Sequence, residues 1–321
     1  MIWVSWRLQR TETVITAAII ALLAALLVPT GIIMANAYDR DGISACIRAN
    51  GSDACGGVIR SFTSRFETVA GFTSWFTLVP GLIGVLLAAS FVLELESGTY
   101  RLAWTQSITR RRWITTKLGT AIAAALVAAL AMTLLITWWR APFVRLEGRM
   151  ENGAYDFEGT VAAGYALFAL GLALAVGAVW RRTVPALVVA FVGYVAARIF
   201  VDTWLRQHFV APISATWREL AGKGGPSGSP PAGLDHAWIL NQYPSDRLGH
   251  HIDVKLGACF RAAGVHPGKV SCLVERAAVY SHVVYEPASR FWLFQGIETS
   301  LFGGIAVVLI GFAAWWTQSR R

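Results

Sequence analysis

Four cysteines, six histidines, two Gly-Lys pairs and a few charges set inside apolar runs are the residues of this chain with chemistry to offer. Cys46, Cys55, Cys259 and Cys272 have disulfide potential, and four cysteines allow three pairings. The local pairing, Cys46 with Cys55 and Cys259 with Cys272, is the simplest. A cross-pairing that ties the first region to the last is its rival. The spacings do not suit a compact zinc site. His208, His236, His250, His251, His266 and His282 include no clean i, i+4 ligand pair with a carboxylate base, so no metal is expected. Gly222-Lys223 and Gly268-Lys269 lack the upstream glycine and the hydroxyl of a phosphate-binding loop. Ser227, in Gly-Pro-Ser-Gly, is not a nucleophile elbow. The chain is therefore not expected to hydrolyse ATP or act as an enzyme by itself, and no cofactor is expected on it. What remains is charge: a cluster between Glu94 and Lys117, and Arg198, Asp202 and Glu298 near apolar stretches.

The elements that position these residues are membrane spans. Of 321 residues, 55% are hydrophobic and 15% charged, and mean hydropathy is +0.51. A soluble domain carries about a quarter charged residues. Spans are predicted at 13–37, 71–93, 114–137, 159–179, 184–204 and 291–316. The net charge of +9 lies largely at span ends, where it sets topology or meets anionic lipid. It is not read as a nucleic-acid surface. Short loops dense in Arg and Lys stay in the cytoplasm. The loop with Arg101, Arg110, Arg111, Arg112 and Lys117 is accordingly placed inside, with both termini, and all four cysteines outside.

That loop has an informative order. Glu94 and Glu96 end the incoming helix, and Gly98 supplies the break. Thr99 is an N-cap for a short helix that presents Tyr100, Leu102, Ala103 and Trp104, and Ser107 or Thr109 caps the outgoing helix. Trp3, Trp6, Arg7 and Arg10 are spaced to lie flat in the interface. Gly164, Gly171 and Gly177 are read as close packing within the bundle. Arg198 and Asp202, at i, i+4, are placed to pair along one helix face. Phe76, Arg198, Asp202 and Glu298 are candidates for lining a transport path. The 205–290 segment, with a flexible Gly/Ser/Pro tract, is expected to hold helices.

Glu94-x-Glu96-x-Gly98-Thr99, then Leu102, Trp104 to Ser107, Thr109 to Arg112 and Lys117, resembles the cytoplasmic loop of ABC-2-type transporter permeases, in its actinobacterial form. Tyr285-Glu-Pro-Ala-Ser-Arg-Phe-Trp-Leu-Phe-Gln-x-x-Glu298 resembles the approach to the last span in the same group. The resemblance implies an all-α integral membrane protein with six transmembrane helices, an N-terminal interfacial helix and a cytoplasmic coupling helix between helices two and three. The predicted spans and the cysteines divide the chain into 1–204, an outer disulfide-containing segment 205–290, and 291–321. The resemblance further implies an exporter subunit in a bacterial plasma membrane. Its partners would be ABC ATPase subunits that carry ATP and Mg, a second permease copy or related permease, and the lipid bilayer. Glu94, Glu96, Gly98, Thr99, Arg101, Leu102, Trp104, Arg110, Arg112 and Lys117 would couple it to the ATPase. The rival from another class is a membrane-anchored receptor or scaffold whose outer segment binds a ligand.

Overall fold

A computed structural model describes residues 10–48, 53–71, 73–100, 109–150, 152–218, 231, 233–252 and 280–319. The helices are α1 (Arg10–Arg40), α2 (Ile43–Arg48), α3 (Asp53–Gly71), α4 (Thr73–Phe76), α5 (Val79–Ser97), α6 (Arg110–Glu147), α7 (Asn152–Tyr155), α8 (Val161–Trp180), α9 (Thr183–Phe200) and α10 (Phe291–Ser319). Six helical stretches are long and apolar enough to cross a membrane: α1, α5, α6, α8, α9 with its continuation to His208, and α10 with the turn before it. This is a multi-pass membrane protein whose membrane body is helical, as expected. Of the expected interfacial segment 1–12, residues 10–12 begin α1 and the rest lies outside the described residues, as do residues 101–106 of the expected coupling helix, Cys259 and Cys272.

The chain divides into two compact units. One comprises residues 1–146, 153–206 and 292–321; the other comprises 147–152 and 207–291. In the first unit α8 is the central helix, and small residues let its neighbours approach. A Cβ on Gly84 of α5 would sit 2.2 Å from the Ala166 carbonyl oxygen, and one on Gly177 would sit 2.3 Å from Val92. Gly164 and Gly171 face Thr299 and Ala306 of α10. The three glycines of α8 thus serve packing within the chain.

Span boundaries depart from the sequence reading where tertiary contacts override local signals. The second span begins at Val79 rather than 71, with Pro80 in its first turn, where a missing N–H costs nothing. The third span does not end at Thr137. It runs to Glu147 through Pro142, because Trp139, Phe143 and Arg140 are buried against the body. Trp139 Nε1 donates to Thr30 Oγ1 at 3.0 Å, and Trp138 and Trp139 close over Gly31 of α1. Between the first two spans, a disulfide joins Cys46 of α2 to Cys55 of α3, the local pairing for this half of the set.

The expectation of helices after the fifth span is corrected. The described part of the second unit is an antiparallel sheet of β1 (Ile213–Arg218), β2 (Trp238–Ser245) and β3 (Tyr280–Glu286), in the order β1-β3-β2. Val283 stands opposite Ala215 on one side and Gln242 on the other, with an irregularity between Ile239 and Asn241. The β-branched and aromatic residues of Ile213-Ser-Ala-Thr-Trp and Tyr280-Ser-His-Val-Val-Tyr suit a pleated, half-buried surface. Ser281, Val283 and Tyr285 are buried.

Candidate functional site

Both ends of the helical body hold charge, and they hold it differently. At the loop end, Gly98 terminates α5 with φ +72°, the left-handed C-cap that only glycine adopts at little cost. Thr109 Oγ1 accepts from the Arg112 backbone N–H at 3.4 Å, so it caps α6 as expected. Lys117, almost fully buried, pairs with Glu94 across the second and third spans. Phe91 stacks on Trp113 at 5.7 Å in the same layer. Glu96 Oε2 accepts from the Thr183 N–H at 2.8 Å, so the end of the second span caps the start of the fifth. Arg110, Arg111 and Arg112 are exposed. Thr99 is exposed beside Ser97, 3.0 Å between hydroxyls. Arg101, Leu102 and Trp104 lie outside the described residues.

At the other end a network of charges is closed away from solvent. Arg198 donates from Nη2 to Asp156 Oδ2 at 2.8 Å and from Nη1 to Glu298 Oε1 at 3.1 Å. Arg206 reaches Asp156 Oδ1 at 2.8 Å, Asp202 Oδ1 at 2.5 Å and Glu298 Oε2 at 3.0 Å. Tyr165 donates to Glu298 at 2.5 Å and accepts from Arg198 at 2.6 Å. The guanidinium of Arg198 lies 3.9 Å from the Tyr165 ring centre, and that of Arg206 lies 4.2 Å from the Tyr155 ring centre. Arg206 is 1% exposed and Glu298 is fully buried. Burial, followed by the nearby Glu298 charge, pushes the Tyr155 phenol well above its ordinary value. Gln295, one turn before Glu298, accepts from the N–H groups of Thr160 and Val161 at the start of α8 and donates to the Tyr155 carbonyl at 2.8 Å.

The backbone that aligns the two arginines is specific. Residues Val201–Leu205 form a wide turn with π-type hydrogen bonding at the end of α9. In an unbroken α-helix, residues eight apart point about 80° apart; absorbing one residue in a wide turn brings them to within about 20°. Arg198 and Arg206 thus face the same partners. The expected Arg198–Asp202 pair is not formed: Asp202 reaches forward to Arg206, and Arg198 turns to Asp156 and Glu298. Three of the four path candidates therefore meet in one network, while Phe76 is half-buried on α4, ahead of the second span. Asp156, Arg206, Tyr155 and Tyr165 are not among the sequence candidates, and Gln295 enters there only within the motif that ends at Glu298. Arg206 had a legible signal, a third charge within eight residues of an apolar run. Asp156 had none, since it sits in a polar loop.

In the second unit, Asp246 accepts from the N–H groups of Leu248 and His250 and lies 2.9 Å from His250 Nδ1. The His250 N–H first, and then its ring, hold the Asp246 carboxyl below the usual range. Glu286 is buried, which raises its carboxyl above the ordinary value, against the pull of Arg290 at 2.7 Å. Among the described residues no three His, Cys, Asp or Glu are grouped to hold a metal.

The family described as ABC-2 membrane transporter related matches residues 17–206, more than half of the chain, from the first span to the second arginine of the network. This chain belongs to that family and is an ABC-2-type permease, a transport subunit of the membrane. No curated protein and no solved structure matches it.

Proposed function

We propose that this chain is the membrane-spanning subunit of an ATP-driven exporter of a bacterial plasma membrane. It works with separate ABC ATPase subunits, which carry ATP and Mg, and with a second copy or a related permease. Both termini and the loop between the second and third spans face the cytoplasm. The cargo is a hydrophobic or amphipathic molecule: a drug, peptide, lipid or secondary metabolite. Glu94, Glu96, Gly98, Thr99, Arg101, Leu102, Trp104, Arg110, Arg112 and Lys117 couple the permease to the ATPase.

The observation that carries this reading is the family match, which runs through five spans and the loop. The bonding at the loop end supports it. Glu94 is tied to the third span and Glu96 to the fifth, so a push on the loop reaches three helices at once. The test is copurification from native membranes with a Walker-motif ATPase, followed by nucleotide turnover of the complex. Thr99→Ala and Trp104→Ala are expected to lower permease-stimulated turnover at least severalfold. A permease that never associates with a nucleotide-binding subunit would sink the reading and favour the receptor alternative.

A further inference from the structure

The second and fifth spans are joined at the loop end and again near the middle of the fifth, at Tyr194, and beyond it the fifth runs on into the buried network. At the loop end the junction is Glu96 to the Thr183 N–H at 2.8 Å. Toward the other end, Tyr194 Oη donates to the Thr77 carbonyl at 2.9 Å, and the Tyr194 ring fills the space over Gly81, where a Cβ would come within 2.1 Å. Beyond Tyr194 the same helix carries Arg198 and Arg206, which hold Glu298 of the last span and Asp156 ahead of the fourth. The 26-residue stretch Thr183–His208 is about 39 Å long at the usual helical rise. It therefore links the loop end to the network with bonded junctions at each end.

We infer that the second and fifth spans act as one strut. In this role Glu96 and Glu298 are positioning residues: the first receives movement from the loop, and the second passes it to the last span. The inference rests on the transporter reading above. Buried ion networks are poor stabilisers compared with apolar packing of equal volume. They do hold elements in one register, which a strut requires. Coupling between distant sites travels through rigid elements with discrete arrangements, and demonstrating it requires a measurement at one end after a change at the other.

Thr183→Pro supplies that change. Arg182 is already extended (φ −130°, ψ 113°), as a residue before proline must be, and proline is at home in the first turn of a helix. The substitution deletes the donor that Glu96 engages and leaves the network untouched. The experiment uses the permease with its copurifying ATPase in lipid nanodiscs, with nitroxides at Ile33→Cys on the first span and Leu293→Cys on the last, both exposed. The distance between labels is measured at rest and after trapping with ATP and vanadate, at equal trapped nucleotide.

The unsubstituted complex is expected to show a change in that distance, and T183P to lose at least half of it. E298Q is expected to lose it as well, E298D to recover part, and T183P/E298Q to lose no more than the worse single variant. A full shift in T183P, or losses that multiply in the double variant, would overturn the strut. If E298Q fails to fold, T183P decides alone, because its change lies at the opposite end from the labels. Absence of any associated ATPase would instead sink the transporter reading itself, a result distinct from an associated complex whose shift survives T183P.

Discussion

The loop end of the helical body and the end that holds Arg206 spend charge in opposite ways. At the loop end the arginines 110–112 are exposed, and the Glu94–Lys117 ion pair is drawn inside. At the other end two guanidiniums, those of Arg198 and Arg206, and the carboxylates of Asp156 and Glu298 are buried together, and Asp202 closes the edge with its side chain 37% exposed. Exposed arginines beside a span are of the kind that biases topology and meets lipid headgroups. Buried ones have exchanged water for fixed partners, so each depends on every other. The difference shows that charge density along the sequence marks a surface, whereas charge diluted among apolar residues marks a joint.

The contrast is most easily broken at Arg206. Arg206→Met takes from Asp156 and Glu298 one of their two cations and from Asp202 the arginine it pairs with, and is expected to cost about 3–5 kcal/mol, read as a fall in thermal midpoint of the detergent-solubilised protein. A midpoint within a degree of the parent would show the network to be idle. Next in size is Gly84→Ala, whose Cβ must displace the Ala166 carbonyl of the central helix. About 1–3 kcal/mol is expected by the same assay. Lys117→Met strands a partly exposed Glu94, so its cost is expected near 1–2 kcal/mol, below that of R206M. Arg111→Ala, at an exposed position, is expected to move stability by no more than about 0.5 kcal/mol.

The smallest effect is a pH dependence. The Asp246 carboxyl is held below its ordinary value in the folded state, so its contribution is present above the unfolded value and is lost as pH falls through the folded one. Hydrogen exchange at Leu248 and His250 should quicken on acidification in the parent. In Asp246→Asn the exchange should be pH-flat once the intrinsic chemistry is divided out.

The sequence made local features legible and left most of the joint hidden. The six spans, the break at Gly98, the cap at Thr109 and the Cys46–Cys55 link follow from runs, caps and short separations. The third span's extension past Thr137 depends on Trp139 and Thr30, far apart in the chain, and Pro142 argued locally against it. The network joins Asp156 to Glu298 through two arginines on a third element, and its geometry depends on a wide turn at Val201–Leu205 that periodicity does not reveal. The sheet is hidden in the sequence because its three strands are short and β1 and β2 pair only with β3, far along the chain.

The order of strands in that sheet bears on how the protein is made. Neither β1 nor β2 pairs with the other; both pair with β3, the last of the three to leave the ribosome. Strands β1 and β2 must therefore wait, edges open, until Tyr280–Glu286 arrives, directly ahead of α10. The last strand ends at Glu286 and that helix begins at Phe291, so the sheet can close only as the helix starts to follow it. A nascent chain stalled before residue 280 would carry two unpaired strands, the form most open to aggregation and to quality-control proteolysis.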